Sequence, residues 1–223
     1  MKKIISLILM VFVLAMSSIA FAKSKNEEAQ AAQIPFSQRI QAIYDAQKGK
    51  SARQIDPNKM PVVAVMYRND AKTTYDSDID GVFVEMLTKN IDAETFSYVN
   101  GDPFIAKLKQ MGLVDLTTAE RSDIVKAFEG ENVDYVIFLQ VNEFTRKDKM
   151  TVFTIGKEMT ANVPFKMIDV KNNQYLYNGK FTEKAKKSKV VGGLGNKTTA
   201  LNAIKMVADK VADVIVLRLP RTR

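Results

Sequence analysis

Asp76, Asp78 and Asp80 alternate ahead of Gly81 in the stretch DSDIDGVFVE (Asp76–Glu85). That is the spacing at which a D-x-D-x-D-G calcium loop places its first oxygen ligands and its turn glycine. Such a loop needs a bidentate acid at its twelfth position, which here is Leu87. Glu85, at the tenth, is the acid that a shorter extracytoplasmic loop would use. The same carboxylates also suit a helix start, where they satisfy free backbone N–H groups and complement the positive end of the helix dipole. Helix capping is the leading reading of the segment and no metal ligand is assigned to it. A calcium-dependent extracytoplasmic binding module using Asp76–Glu85 is the alternative.

Two further stretches carry chemistry-bearing residues. VVGGLGNKTT (Val190–Thr199) resembles a phosphate loop, but Asn196 stands where glycine must precede Lys197, and the earlier glycine position is Val191. The G-x-x-x-x-G-K-[ST] spacing therefore fails, leaving a loop that feeds a helix capped by Asn196 or Thr198. Just before it, Lys184, Lys186, Lys187 and Lys189 form a basic cluster, and Arg218, Arg221 and Arg223 close the chain. Most such clusters are solvated surface. As a functional feature, the loop Lys184–Asn196 is a candidate contact for an envelope protein or an anionic envelope polymer, through attraction that salt would weaken. Nucleic acid is not expected, because these stretches lack interleaved aromatic residues.

The composition narrows the chemistry. With no histidine and no cysteine among 223 residues, Ser-His and Cys-His nucleophile pairs, the usual zinc sites and thiol redox chemistry are all unavailable. Carboxylate pairs involving Glu94 or Asp134 are the remaining catalytic option, and nothing in the sequence sets a separation for them. The chain is read as a non-enzyme without a cofactor.

Residues 1–22 have the form of a signal peptide: Lys2 and Lys3, the apolar run ISLILMVFVLAM, then Ala20-Phe21-Ala22 before polar KSKNEE. Cleavage after Ala22 removes two lysines and takes the formal charge from +8 to +6. The expected location is the periplasm or cell envelope. The absence of cysteine excludes a lipobox, so no stable lipid anchor is expected.

The elements that must position these residues follow from periodicity. Residues 23–59 form a polar helical and linker segment, with a helix over Phe36–Gln47 whose stripe is Phe36, Ile40, Ile43 and Tyr44. A single domain is expected over 60–219, with a basic tail at 220–223. It opens with a buried strand, MPVVAVMY, followed by an amphipathic helix after the aspartates. A second strand over Thr95–Val99 precedes a helix that starts at Asp102-Pro103. A further helix is signalled by a capping box at Thr117–Glu120, and VDYVIFLQV (Val133–Val141) is the next strand. Met150–Ile155, Thr160–Asp169 and Tyr175–Thr182 then alternate as antiparallel strands, with Ala161, Val163, Phe165 and Met167 on one face and Pro164 marking an edge or a bulge. An amphipathic helix over Thr198–Leu217 closes the chain. The fold class is α/β: a mixed sheet of order β-α-β-α-α-β, then an antiparallel meander with a C-terminal helix packed on it.

Three quoted stretches carry a resemblance. PVVAVMYRND with its Tyr67-Arg68-Asn69 strand end, ETFSYVNGDPFIAKLKQMG, and AERSDIVKAFEGENVDYVIFLQVNEF resemble, in order, the curli-secretion subunit CsgG and its relatives, including LpoB and the N-terminal domain of TolB. The resemblance runs from about Met60 to Leu217. It implies an envelope protein that acts by binding or assembly. The chain departs from that family in lacking a lipidated cysteine. Charged and turn residues also interrupt Met150–Thr182, so no pore-forming hairpin is expected.

Overall fold

The computed structural model describes residues 34–49, 60–113, 115–150, 155–189 and 195–222. The signal-peptide expectation at 1–22 and residues 190–194 of the glycine segment lie outside them. β1 (Val62–Asn69) pairs in parallel with both β2 (Ser97–Asn100) and β3 (Tyr135–Val141). The connections supply helices to opposite faces of this sheet. α2 (Asp76–Asn90) links β1 to β2 on one face. On the other, α3 (Asp102–Gln110) and α4 (Arg121–Ala127) link β2 to β3.

This two-sided cover explains why β1 and β3 are apolar almost throughout. Val63, Val65 and Tyr67 join the core under α2, whereas Val62, Ala64 and Met66 join the one under α3 and α4. α1 (Phe36–Lys48) also enters the first core. Ile40 and Tyr44 are buried there, and the Phe36 ring stacks on Tyr67 at 3.7 Å between centroids. Ile43, expected on the same stripe, is exposed. The compact unit runs from Phe36 to Arg223, so this helix belongs to it.

After β3 the pairing becomes antiparallel. β5 (Ile155–Asp169) pairs along one edge with β3 and then with β4 (Thr145–Met150), and along the other with β6 (Gln174–Lys189). Pro164 lies between the two registers, after Leu139↔Phe165 ends and before Thr145↔Thr160 begins, where its missing N–H costs no ladder bond on that edge. The expected strand at Met150–Ile155 falls mostly on 151–154, outside the described residues, and β4 at Thr145–Met150 is a strand that the sequence did not signal. Its sequence, TRKDKM, is charged because one of its faces meets no described helix, and hydropathy therefore carries no signal there.

α5 (Asn196–Arg218) packs on β5, β6 and α2 through Ile204, Val207, Val211 and Ile215. Ala161, Val163, Phe165 and Met167 all face it, as their alternation predicts. A bulge at Met167/Ile168 places both Leu176 and Tyr177 on this side and returns Tyr175 to the opposite one.

The caps differ from expectation. The capping box sits at Glu120 and Asp123, one turn after Thr117, with Asp123 Oδ2 accepting the Glu120 N–H at 2.9 Å. α5 begins after Gly195 with no side-chain cap, and Asn196 Oδ1 instead accepts from Lys157 Nζ at 2.7 Å. Asp102 is the first residue of α3 rather than its cap, and accepts from Ser37 Oγ at 2.5 Å.

Candidate functional site

The three aspartates of the opening motif have three separate tasks. Asp76 Oδ1 accepts from the N–H and the hydroxyl of Thr73 at 2.9 and 2.6 Å, fixing the turn into α2. Asp78 pairs with Lys197 at 2.8 Å, tying α2 to the start of α5. Asp80 Oδ1 accepts from Tyr67 Oη and Asn69 Nδ2, both at 2.7 Å. Helical geometry spreads the carboxylates around the axis, and among the described residues no group of three acids is placed to hold a metal ion. None of the three caps a helix N–H as expected: α2 begins after Tyr75 with no side-chain cap, Asp76 bonds the turn ahead of it, and only the placement of Asp76 and Asp78 in the first turn matches the expectation.

Asp80 is half-buried at the joint between β1 and α2. Burial pushes its carboxyl above the ordinary aspartate value, against the hydrogen bonds from Tyr67 and Asn69. The same joint raises the Tyr67 phenol, chiefly by burial and then by the Asp80 charge. Tyr67 and Asn69 thus lock the end of β1 onto α2. A neighbouring cleft of about 430 Å³ is lined by Phe36, Tyr67, Asn69, Asp80 and Asp102. Its main polar groups are already engaged with one another.

The lysine cluster is divided by strand alternation. Lys184 to Lys187 lie in β6 and not in a loop, because that strand runs seven residues past its expected end at Thr182. Lys184 is in register with Thr160, and Lys186 with Glu158 and Lys147, on the face away from α5. Lys187 is paired with Lys157 on the α5 side. The side chain of Lys189 lies outside the described residues. The cluster therefore does not act as one patch.

What replaces it is the sheet face away from α5. α3, α4 and the turn at Thr117–Ala119 cover that face over the parallel strands and over the Lys166–Ile168 end of β5, and among the described residues no helix packs on it beyond that, over β4 and the Lys180–Lys186 stretch of β6. Exposed Lys147, Lys180, Lys184 and Lys186 project there, with Asn162 and Thr182 between them. Glu158, on the middle strand, is held between Lys147 and Lys186, with Lys186 Nζ 3.5 Å away.

At the foot of the α3/α4 layer this face ends in a cleft of about 480 Å³, lined by Thr117, Thr118, Arg121, Ser122, Lys166, Tyr175 and Asn178 among others. Lys166 is 7% exposed, and its Nζ donates to the carbonyls of Thr117 and Ala119 at 2.9 and 2.5 Å. Burial pulls its ammonium below the ordinary lysine value, with Asp115 the largest opposing charge. The Arg121 guanidinium lies 5.8 Å from the Tyr175 ring centroid, and its Nε is buried without a hydrogen-bond acceptor.

The nearby acids are turned to other donors. Asp115 accepts from the N–H and hydroxyl of Thr117 at 2.9 and 2.8 Å, which hold its carboxyl below the usual range, and Asp123 takes the Glu120 N–H. Among the described residues, neither Lys166 nor Arg121 forms a salt bridge. The arrangement is an acceptor-binding cleft that opens onto a lysine-bearing sheet.

Lys147, Lys180, Lys166 and Arg121 were not singled out by the sequence reading. The alternation from Asn178 to Lys186 carries a signal for Lys180, because every second residue there is polar. No local pattern joins Arg121 to Lys166.

No family model matches the sequence, and no curated protein matches it. Solved structures do match at low identity. The hypothetical protein CT253 from Chlamydia trachomatis is 10% identical over 71% of this chain and 99% of its own, with a TM-score of 0.43. Lipoprotein GNA1162 from Neisseria meningitidis is 11% identical over 69% of this chain and 99% of its own, with a TM-score of 0.35. The C-terminal domain of LpoB from Escherichia coli is 14% identical over 67% of this chain and 98% of its own, with a TM-score of 0.28. LpoB is also one of the proteins in the sequence resemblance. At these scores the likeness carries no argument about the chemistry of this chain.

Proposed function

We propose that this chain is an exported, non-catalytic protein of the cell envelope that binds, or helps assemble, another envelope component. The observation that carries the reading is the polar sheet face over β4–β6 on which Lys147, Lys180, Lys184 and Lys186 stand exposed together. A face of that breadth, with charges held at the fixed spacing of strands, suits recognition of an extended partner. The signal-like segment at 1–22 supports export, and the lack of histidine and cysteine removes the commonest catalytic pairs. Among the described residues no helix is long and apolar enough to cross a membrane.

The test is fractionation of cells producing the full chain, with N-terminal sequencing and cross-linking in place. The expected product begins at Lys23, fractionates with the envelope and cross-links to a discrete component of it. A chain that still begins at Met1 and remains in the cytoplasmic fraction overturns the reading.

A further inference from the structure

We propose that the lysine-bearing face of β4–β6 is a track for a linear acidic polysaccharide, with the Arg121–Lys166 cleft as the subsite that grips one carboxylate. This deepens the functional reading above by naming the chemistry of the partner, and it rests on that reading for its cellular setting only.

Charge complementarity is the first argument. Lys147, Lys180, Lys184 and Lys186 are exposed on one face, and the opposing acid among them, Glu158, is buried between two of them. Along β6 a residue advances about 3.3 Å, so Lys184 and Lys186 stand about 7 Å apart and Lys180 about 13 Å further back. The cations therefore recur along a line and are not gathered at a point.

The second argument is what lies between them. Asn178, Thr182 and Asn162 share the face with their side chains accessible, and Thr182 Oγ1 donates to Asn162 Oδ1 at 2.9 Å. Amide and hydroxyl groups interleaved with lysines match a ligand whose acidic groups are separated by hydroxyls. Carboxylate-bearing sugars have that pattern.

The third is the cleft. The buried Arg121 Nε has no acceptor, which is unfavourable while it stays unpaired, and an incoming carboxylate oxygen relieves it. Tyr175 forms the floor under Arg121, and the Thr117 and Ser122 side chains line the same space.

Shape selects a chain over a bilayer. On this face the α3/α4 layer rises beside the strands by about one helix diameter, roughly 10 Å, and the cleft sits at the foot of that step. A planar membrane resting on the helices cannot reach Arg121. A single polymer chain lying along β6 can.

The experiment uses the full chain and sodium alginate oligomers as probe, read by calorimetric titration at low and at 0.5 M salt. Binding is expected at low salt, with a large loss at high salt, and neutral dextran is expected to give no heat. The double variant Lys184→Glu/Lys186→Glu should weaken binding at least tenfold. Lys187→Glu with Lys157→Glu makes the same change of charge on the α5 side and should weaken it less than threefold. Arg121→Gln should weaken binding about tenfold, and Arg121→Lys should not restore it, because lysine cannot offer the Nε geometry. Thermal melting of each variant establishes that it is folded.

Equal losses on the two faces would mean attraction by net charge alone and would overturn the track. So would unchanged binding in Arg121→Gln. Capture by phosphatidylglycerol vesicles at least as strong as by alginate, with the same dependence on Lys184 and Lys186, would replace the polysaccharide with a membrane surface. A chain that binds alginate as described but is not exported sinks the cellular reading and leaves the track standing. An exported, envelope-associated chain that ignores alginate does the reverse.

Discussion

The parallel half of the sheet and its antiparallel half use polar residues in opposite ways. Around β1–β3, with helices on both faces, Asp76, Asp80 and Asp134 each spend their oxygens on groups of the fold itself, and Asp134 Oδ2 accepts the Val62 N–H at 2.8 Å while its other oxygen pairs with Lys171. Over β4–β6, with α5 on one face only, lysines stand in solvent and are held in place by strand register. Enclosure makes an unpaired charge costly, so the closed half has consumed its charges. The open half is under no such pressure and retains surface for a partner.

Substitutions at two glycines give the sharpest contrast between the halves. A Cβ at Gly101 would lie 2.2 Å from the Val65 carbonyl oxygen, in backbone that both covering layers hold. Gly101→Ala is expected to cost about 3 kcal/mol in urea unfolding, since β1 or the start of α3 must shift. A Cβ at Gly179 meets the Tyr177 hydroxyl at 2.8 Å, the far end of a side chain. Gly179→Ala should cost about 1 kcal/mol or less, because the phenol can turn aside. Equal costs would show that the open half is as rigid as the closed one.

At Asp80 the comparison becomes one of pH. Asp80→Ala leaves Tyr67 and Asn69 without their shared acceptor and should cost about 2 kcal/mol. Asp80→Asn keeps an acceptor oxygen and removes the titration. Because burial raises the carboxyl in the folded state, the folded protein binds this proton more tightly than the unfolded chain does. The stability of the parent chain relative to Asp80→Asn should therefore rise as pH falls through the raised value and level off below the ordinary aspartate pKa of about 3.9. Urea unfolding of both chains between neutral pH and pH 3 reads it. A flat difference would mean that Asp80 carries no burial penalty.

The smallest effect belongs to the open face. Lys184→Glu, at an exposed strand position, should leave stability within about 0.5 kcal/mol of the parent chain in the same urea assay. A large loss would make the lysine part of the fold and dissolve the contrast between the halves.

Which parts were legible follows from the range of the forces involved. The α/β order could be read because hydrophobic periodicity is local: Val133–Val141 is apolar as only a strand covered on both faces needs to be, and Ile204, Val207, Val211 and Ile215 recur at helical spacing. The cap at α4 was displaced by a turn, and that at α5 fell on Gly195 ahead of both expected residues, because several Thr, Asp and Asn residues compete there with similar local energies. β4 was not legible because its charged sequence, TRKDKM, carries no apolar signature. The basic cluster was visible as composition, but its division between two faces was not, since that depends on a register set by pairing with β5 and by the bulge at Met167/Ile168.

By itself the sequence determined the succession of elements, the two-sided burial of the parallel strands and the exclusion of histidine and cysteine chemistry. Each of these is written in neighbouring residues or in composition. Tertiary structure alone decided that Asp76, Asp78 and Asp80 turn to three different partners, and that Lys184 and Lys186 share a face with Lys147 and not with Lys187. It also brought Arg121 to Lys166, because strand pairing and helix packing join residues far apart in the chain, and no local spacing records which ones will meet.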